Sequence, residues 1–176
     1  MINKIKFIFL SFIFLFVATT AFACDFRISK FGKPKEDIKF NNFLPMAFPD
    51  PAGGLTILIP IEEICKEDST LYGTSVVHLY VKEKLTQIRL ERPVINDGKL
   101  MDFAMKTYGE FSLPNNISKK DWRGTYRWEN DKEIIYYSSI DILEGSLEIL
   151  EINSKKYQKE LVKYIGEYGK WLDSAK

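Results

Sequence analysis

The stretch from Val76 to Pro93, VVHLYVKEKLTQIRLERP, decides the fold. Val77, Leu79 and Val81 alternate with Val76, His78 and Tyr80, the two-residue period of a β-strand. The polar run Lys82-Glu83-Lys84 breaks the apolar pattern where a tight turn belongs. Thr86, Ile88 and Leu90 then alternate with Gln87, Arg89 and Glu91, which gives the return strand one apolar and one wet face. Pro93 ends it, because proline cannot donate to a ladder. The stretch is a β-hairpin.

On its C-terminal side, Asn96 or Asp97 caps a helix expected over 97–108. Its stripe is Leu100, Phe103, Ala104 and Thr107, and Gly109 stands where helices end. Three strands are expected next, over 122–129, 133–143 and 147–152, with turn signals at Asn130-Asp131 and Glu144-Gly145-Ser146. Asn153 or Ser154 then caps a final helix over 154–172, whose buried stripe reads Tyr157, Leu161, Ile165, Tyr168 and Leu172. Gly166 and Gly169 inside it suggest close backbone packing.

On the N-terminal side, 55–61 is an apolar strand followed by a helical turn. The segment 44–54, LPMAFPDPAGG, carries three prolines and two glycines and reads as an irregular loop. Residues 26–31 suit an edge strand, and Pro34, Glu36 and Asp37 suit the start of a short N-terminal helix that ends at Asn41-Asn42. Strands joined by tight turns give an α+β domain: an antiparallel sheet of about five to seven strands with the helices packed on one face.

The first residues bear on compartment. Lys4 and Lys6 precede an apolar run over 7–17, and Ala21 and Ala23 form an A-x-A cleavage site. The run is short of the ~20 residues of a membrane span. Residues 1–23 therefore read as a cleaved secretory signal and 24–176 as one exported domain, periplasmic or secreted, with no transmembrane span. Losing two lysines takes the formal charge from +1 to −1. A near-neutral chain offers no electrostatic case for nucleic acid. Both cysteines, Cys24 and Cys65, lie in the exported part, and an oxidising compartment favours one disulfide between them. It closes a loop of about 40 residues, worth about 3–4 kcal/mol in the chain-entropy model. The competing reading lipidates Cys24, but Phe22 and the polar Thr19-Thr20 fit a lipoprotein signal poorly.

Chemistry-bearing motifs are scarce. The chain has no H-E-x-x-H, C-x-x-C, G-x-S-x-G or phosphate-binding glycine loop, and its one histidine leaves little for zinc or a triad. No catalytic residue, metal site or cofactor is assigned. Trp122, Tyr126 and Trp128 share a strand face with Gly124, a row that suits either ligand stacking or a core. Arg89, Arg92, Arg123 and Arg127 come from two strand regions, and arginine's fork suits carboxylate or phosphate. Phe48, with Met46, puts apolar surface on the proline-rich loop.

These residues point to a non-catalytic binding or interaction module of the cell envelope, with a protein or glycan partner. Two readings from other classes stand beside it. One is a hydrolase on cell-wall or glycan substrates, working through paired carboxylates. The other is a secreted enzyme inhibitor presenting the loop Pro45–Gly54.

Overall fold

The computed structural model describes residues 25–38, 44–67, 70–93, 97–143 and 145–175. The expected signal peptide, Cys24, Asn41-Asn42 and Asn96 lie outside the described residues. The fold is α+β. Seven strands form one antiparallel sheet: β1 (Met46–Pro49), β2 (Gly54–Pro60), β3 (Ser75–Val81), β4 (Lys84–Pro93), β5 (Gly124–Glu129), β6 (Glu133–Ile142) and β7 (Gly145–Ser154). Their order across the sheet is β1-β2-β3-β4-β7-β6-β5. Helix α1 (Ile61–Ile64) is one turn, α2 spans Lys99–Tyr108, and α3 spans Gln158–Ser174. After the first four strands the chain crosses through α2 to the far edge, then returns through β5 and β6 to set β7 beside β4.

The central hairpin is β3–β4. Lys82 and Glu83 both take positive φ, 50° and 64°, the two-residue turn whose twist matches a hairpin. The register slips between Leu79 and Tyr80, where Leu79 faces Gln87 but Tyr80 faces Leu85. The extra residue, Thr86, is buried and donates from Oγ1 to the Leu79 carbonyl at 3.1 Å. This bulge keeps Leu85, Ile88 and Leu90 on the core face with Val76 and Tyr80.

The main core lies between that face and a cover made by α2, the segment 25–38 and the loop 109–122. Leu100, Met101, Ala104 and Met105 of α2 pack on Leu150, Ile152, Ile135 and Tyr137. Phe103 is half-buried against Phe26 at 5.7 Å, and Thr107 turns out to water. The segment 26–31 is not an edge strand; it lies over the core, held by backbone bonds between Gly32 and Leu85 and between Leu85 and Lys33. The expected short N-terminal helix is a single 3-10 turn, Lys35–Asp37. Ile38 turns extended to reach the core, which ends the turn at once.

Further expectations change. The proline-rich segment is not all irregular: Met46–Pro49 pairs with β2 as an edge strand. An edge strand has an unpaired side, so proline breaks no ladder there. Asp50 Oδ1 closes the turn by accepting from the Ala52 and Gly54 amides at 2.8 and 3.1 Å. The helices also do not share a face. Helix α2 covers one side, whereas α3 packs Leu161 and Tyr164 on Leu79 and Val81 of the other. Strand β3 is apolar on both faces, which demands cover on both sides. Ser154 belongs to β7, a 3-10 turn follows over Lys155–Tyr157, and α3 begins only at Gln158. The buried positions of α3 are Leu161 and Tyr164; Ile165 and Leu172 of the expected stripe are 53% and 42% exposed. No helix among the described residues is long and apolar enough to cross a membrane.

Candidate functional site

Trp122 is buried under protein, Trp128 is half-buried, and Tyr126 is 36% exposed. Phe111, from the covering loop, stacks on Tyr126 with centroids 4.3 Å apart and meets Trp122 and Trp128 at 5.5 and 5.7 Å. Trp122 also stacks on Tyr137 at 5.8 Å and is only 9% exposed. Trp128 Nε1 donates to the Gly109 carbonyl at 3.0 Å. Phe111 thus covers one face of Tyr126 and ties all three rings to the covering loop. Trp122→Ala should cost about 3–5 kcal/mol, the usual loss for a large core aromatic. Urea denaturation reads it, and a change below about 1 kcal/mol would mean the ring is not core.

The four arginines do not converge. Arg92 is buried on the core face, where it bonds Asp97 and the Tyr72 carbonyl. Arg123 pairs with Asp141 at 2.5 Å and Arg127 with Glu129. Arg89 pairs with Glu91 at 2.6 Å. Arg89 and Arg127 do share the opposite, open face, in one transverse row Arg89–Glu151–Tyr136–Arg127. Three strand spacings separate them, about 14 Å, too far for one small anion.

The open face carries the candidate site. The buried side chains of α3, Leu161 and Tyr164, lie in its N-terminal half, and Tyr168 is partly buried against the same cluster. Gly54 permits this docking, because a Cβ there would collide with the Tyr164 ring and the Asp50 carboxylate. The Tyr164 hydroxyl donates to Asp50 Oδ2 at 2.6 Å and ties the helix to the β1–β2 turn. Beyond that point the helix overhangs the sheet. At Gly166 and Gly169 a Cβ would meet nothing within 4 Å, so neither glycine marks close packing. A groove of about 530 Å³ opens beneath the overhang.

Its roof is aromatic. Tyr164, Tyr168 and Trp171 follow one another at i, i+4 and i+7, with centroids 6.0 and 5.6 Å apart and planes within 17° and 27°. Its lip is Phe48 with Pro49 and Pro51. Its floor is mixed: Leu79 lies in register between Thr56 and Gln87, with Arg89 and Glu151 beside them. Gln87 Nε2 donates to Asn153 Oδ1 at 2.8 Å across β4 and β7. Burial raises the Glu151 carboxyl above the usual range, with Arg89 opposing the rise and Glu91 adding to it. The Arg89 Nε is buried and has no hydrogen-bond partner among the described residues.

Of the residues singled out by sequence, Phe48 and Arg89 border this groove; Trp122, Tyr126, Trp128, Arg92, Arg123 and Arg127 do not. Tyr164 and Trp171 were legible only as an aromatic spacing on the last helix, and Gln87 as part of a wet strand face. Among the described residues no group of three or more His, Cys, Asp or Glu is placed to hold a metal ion.

His78 is fully buried rather than facing solvent, and neither ring nitrogen has a hydrogen-bond partner among the described residues. Burial lowers its pKa from 6.5 to about 4. As pH falls, the unfolded chain therefore takes up this proton first. Stability is full above about pH 6.5 and is lost progressively toward about pH 4, by about 3 kcal/mol for a shift of this size. Glu148 and Glu151, both raised by burial, act in the opposite direction. They are common to wild type and His78→Leu, so the difference between the two proteins isolates the histidine. The variant should lose this acid-side slope in denaturant titrations at about pH 7 and about pH 4.5. Equal slopes would show that His78 is not held neutral.

Comparison of the chain with protein-family models, with curated proteins and with solved structures returns no match.

Proposed function

We propose that this chain is an exported, non-catalytic binding module of the cell envelope, and that it engages its partner through the groove between α3 and the open sheet face. The observation that carries this reading is the end of α3, where Ile165 and Trp171 stay 53% and 39% exposed beside a groove that Phe48, Leu79, Thr56, Arg89 and Glu151 also line. A large part of a helix's apolar surface left uncovered beside a groove is what a partner surface looks like.

Catalysis by paired carboxylates finds less support. Asp50 and Glu151 both border the groove, but Asp50 accepts hydrogen bonds from two backbone amides and from Tyr164. That commits it to holding the turn. The inhibitor reading is weaker too, since the segment Pro45–Gly54 is tied down through Asp50 and contributes Phe48 as a groove wall. Export rests on residues 1–23, and the Cys24–Cys65 bridge on compartment and on the burial of Cys65, which is 5% exposed.

The test uses the exported mature protein. Its intact mass should correspond to a chain starting at Cys24 and lighter by the hydrogens lost on bridging; a diacylglycerol adduct would replace the bridge with a lipid anchor. The protein should co-sediment with isolated envelopes, and Trp171→Ala should abolish this. No sedimentation of the wild type, or equal sedimentation of both, overturns the groove as the binding site.

A further inference from the structure

We infer that the open face of β6 and β7 is a homodimer interface, on which a second copy of this chain packs sheet against sheet. Strand alternation puts Ile135 and Tyr137 of β6 and Leu150 and Ile152 of β7 in the main core. It puts Ile134, Tyr136, Ile140 and Ile142 of β6, with Leu147 and Ile149 of β7, on the opposite face. An antiparallel sheet with one solvated face carries polar residues there. These two strands, like β3, instead carry apolar residues on both faces. Helix α3 covers the second face at β3 and β4, whereas Ile140 and Ile142 are left 43% and 38% exposed.

The polar residues within this strip are already matched. Ser138 Oγ shares a hydrogen bond with Thr125 Oγ1 at 2.9 Å, Gln87 donates to Asn153, and Glu151 stands in register with Arg89. Covering the strip therefore strands few polar groups. Charge borders it on both sides: Arg89 and Glu91 on β4, Arg127 and Glu129 on β5. Each of these arginines pairs with the glutamate of its own strand. An apolar centre inside a polar rim is the anatomy of a protein interface.

A second copy fits that interface. A two-fold contact needs a surface complementary to itself, and a face of aliphatic side chains packs on its like with the sheets about 10 Å apart. Helix α3 stands to one side at about the same height, about 10 Å, so it does not hold a second sheet off. Across β4, β7, β6 and β5 and along 134–142, the strip and its rims span about 19 Å by about 30 Å, so a pair of copies buries about 1,100 Å², above the ~1,000 Å² of a specific interface. A mature chain with a formal charge of −1 has little self-repulsion to overcome. None of the six apolar residues lines the groove of α3, so the inference stands apart from the groove reading.

The experiment measures the mass of the exported mature protein by light scattering and sedimentation velocity from about 1 to about 100 μM, a range that separates micromolar self-association from none. The wild type should reach the mass of a dimer. The double substitution Ile140→Glu with Ile142→Glu should stay monomeric throughout, a loss of about a hundredfold or more in affinity. Both positions are exposed, so the new carboxylates reach water in the monomer, and a thermal melt verifies that the fold is kept. Ser138→Arg, at the centre of the strip, is the second variant and should also be monomeric. Met46→Glu, 50% exposed on β1 at the sheet's far edge, should dimerise as wild type. A wild type that is monomeric throughout, a dimer that persists in folded strip variants, or a monomeric Met46→Glu overturns the inference. If the wild type is a monomer whose co-sedimentation with envelopes is lost in the double variant, the strip receives an envelope component and the dimer is overturned.

Discussion

Arg92→Met should destabilise the domain by about 3–5 kcal/mol, the range for breaking a buried ion pair from one side. Arg92 is 3% exposed at the end of β4. Its guanidinium donates to both carboxylate oxygens of Asp97 at 3.1 and 2.9 Å, to the Tyr72 carbonyl at 2.5 Å and to Thr74 Oγ1 at 3.2 Å. It thereby fastens the connection before β3 and the approach to α2 onto one strand end. Burial pushes the Asp97 carboxyl up, but the hydrogen bond and charge of Arg92, helped by Lys99, leave it below the ordinary range. Methionine fills the space and returns none of these donors, so buried acceptors are left unsatisfied. Arg92→Lys should recover little, because an ammonium cannot fork to Asp97 and reach two further acceptors. Urea midpoints with an unchanged m-value decide it. A loss below about 1 kcal/mol would mean that water replaces the guanidinium without cost.

Beside Arg92 stands Glu148, its register partner on β7 and 1% exposed. Tyr137 donates to Oε1 at 2.6 Å and the Met101 amide at 3.3 Å. The carboxylate thus faces the N-terminal turn of α2, where partial positive charge gathers. Locally, Asp97 Oδ1 accepts from the Lys99 amide at 3.2 Å, as expected of a cap, and Gly98 has no side chain to cap the amides beyond it. Glu148 does so from the sheet, and burial still leaves its carboxyl raised. A sequence reading places Glu148 on the wet side of an edge strand, because acids are usually exposed. Strand alternation with Leu150 and Ile152 places it inside, as it places Arg92 inside with Leu90. Where residue type and periodicity disagreed, periodicity was right at both positions.

The same contrast explains what else was legible. The hairpin Val76–Pro93 could be read because two-residue alternation and a polar turn agree. The strand Met46–Pro49 could not, because prolines forbid a central strand and leave an edge strand open, and sequence does not say which strand lies at an edge. The second helix-covered face is signalled by the apolar residues on both sides of β3, interrupted only by His78, yet alternation alone reads such a strand as one-sided. The aromatic row Trp122–Tyr126–Trp128 has the composition of a stacking site. Whether such a row is free depends on the loop bearing Phe111, a contact no local pattern encodes. The groove itself arises between α3 and strands distant in sequence, and only Phe48 and Arg89 among the residues singled out by sequence reach it.

Two truncations of α3 should behave oppositely. Removing 155–176 uncovers Leu79 and Val81 and discards Leu161 and Tyr164, which are 2% and 7% exposed. Fully burying one such side chain contributes about 1.5–3 kcal/mol, and both sides of this contact are lost together. Against a domain stability of about 5–15 kcal/mol, cooperative unfolding should disappear or its midpoint fall steeply. Leu161→Ala alone should cost about 2–5 kcal/mol. Removing only 169–176 cuts Trp171 and Leu172, which are 39% and 42% exposed, and leaves the docked half in place. That change should cost less than about 1 kcal/mol and move the melting temperature by no more than about 4 °C. The short truncation should nevertheless lose whatever the full-length groove binds, because its roof ends at Tyr168. Calorimetric melts of the two truncated proteins beside wild type decide the matter. Equal destabilisation by both would mean that the overhang is packed in solution and that no groove exists there. A normal melt after the long truncation would make α3 an appendage, and the sheet would then be stable with Leu79 and Val81 facing water.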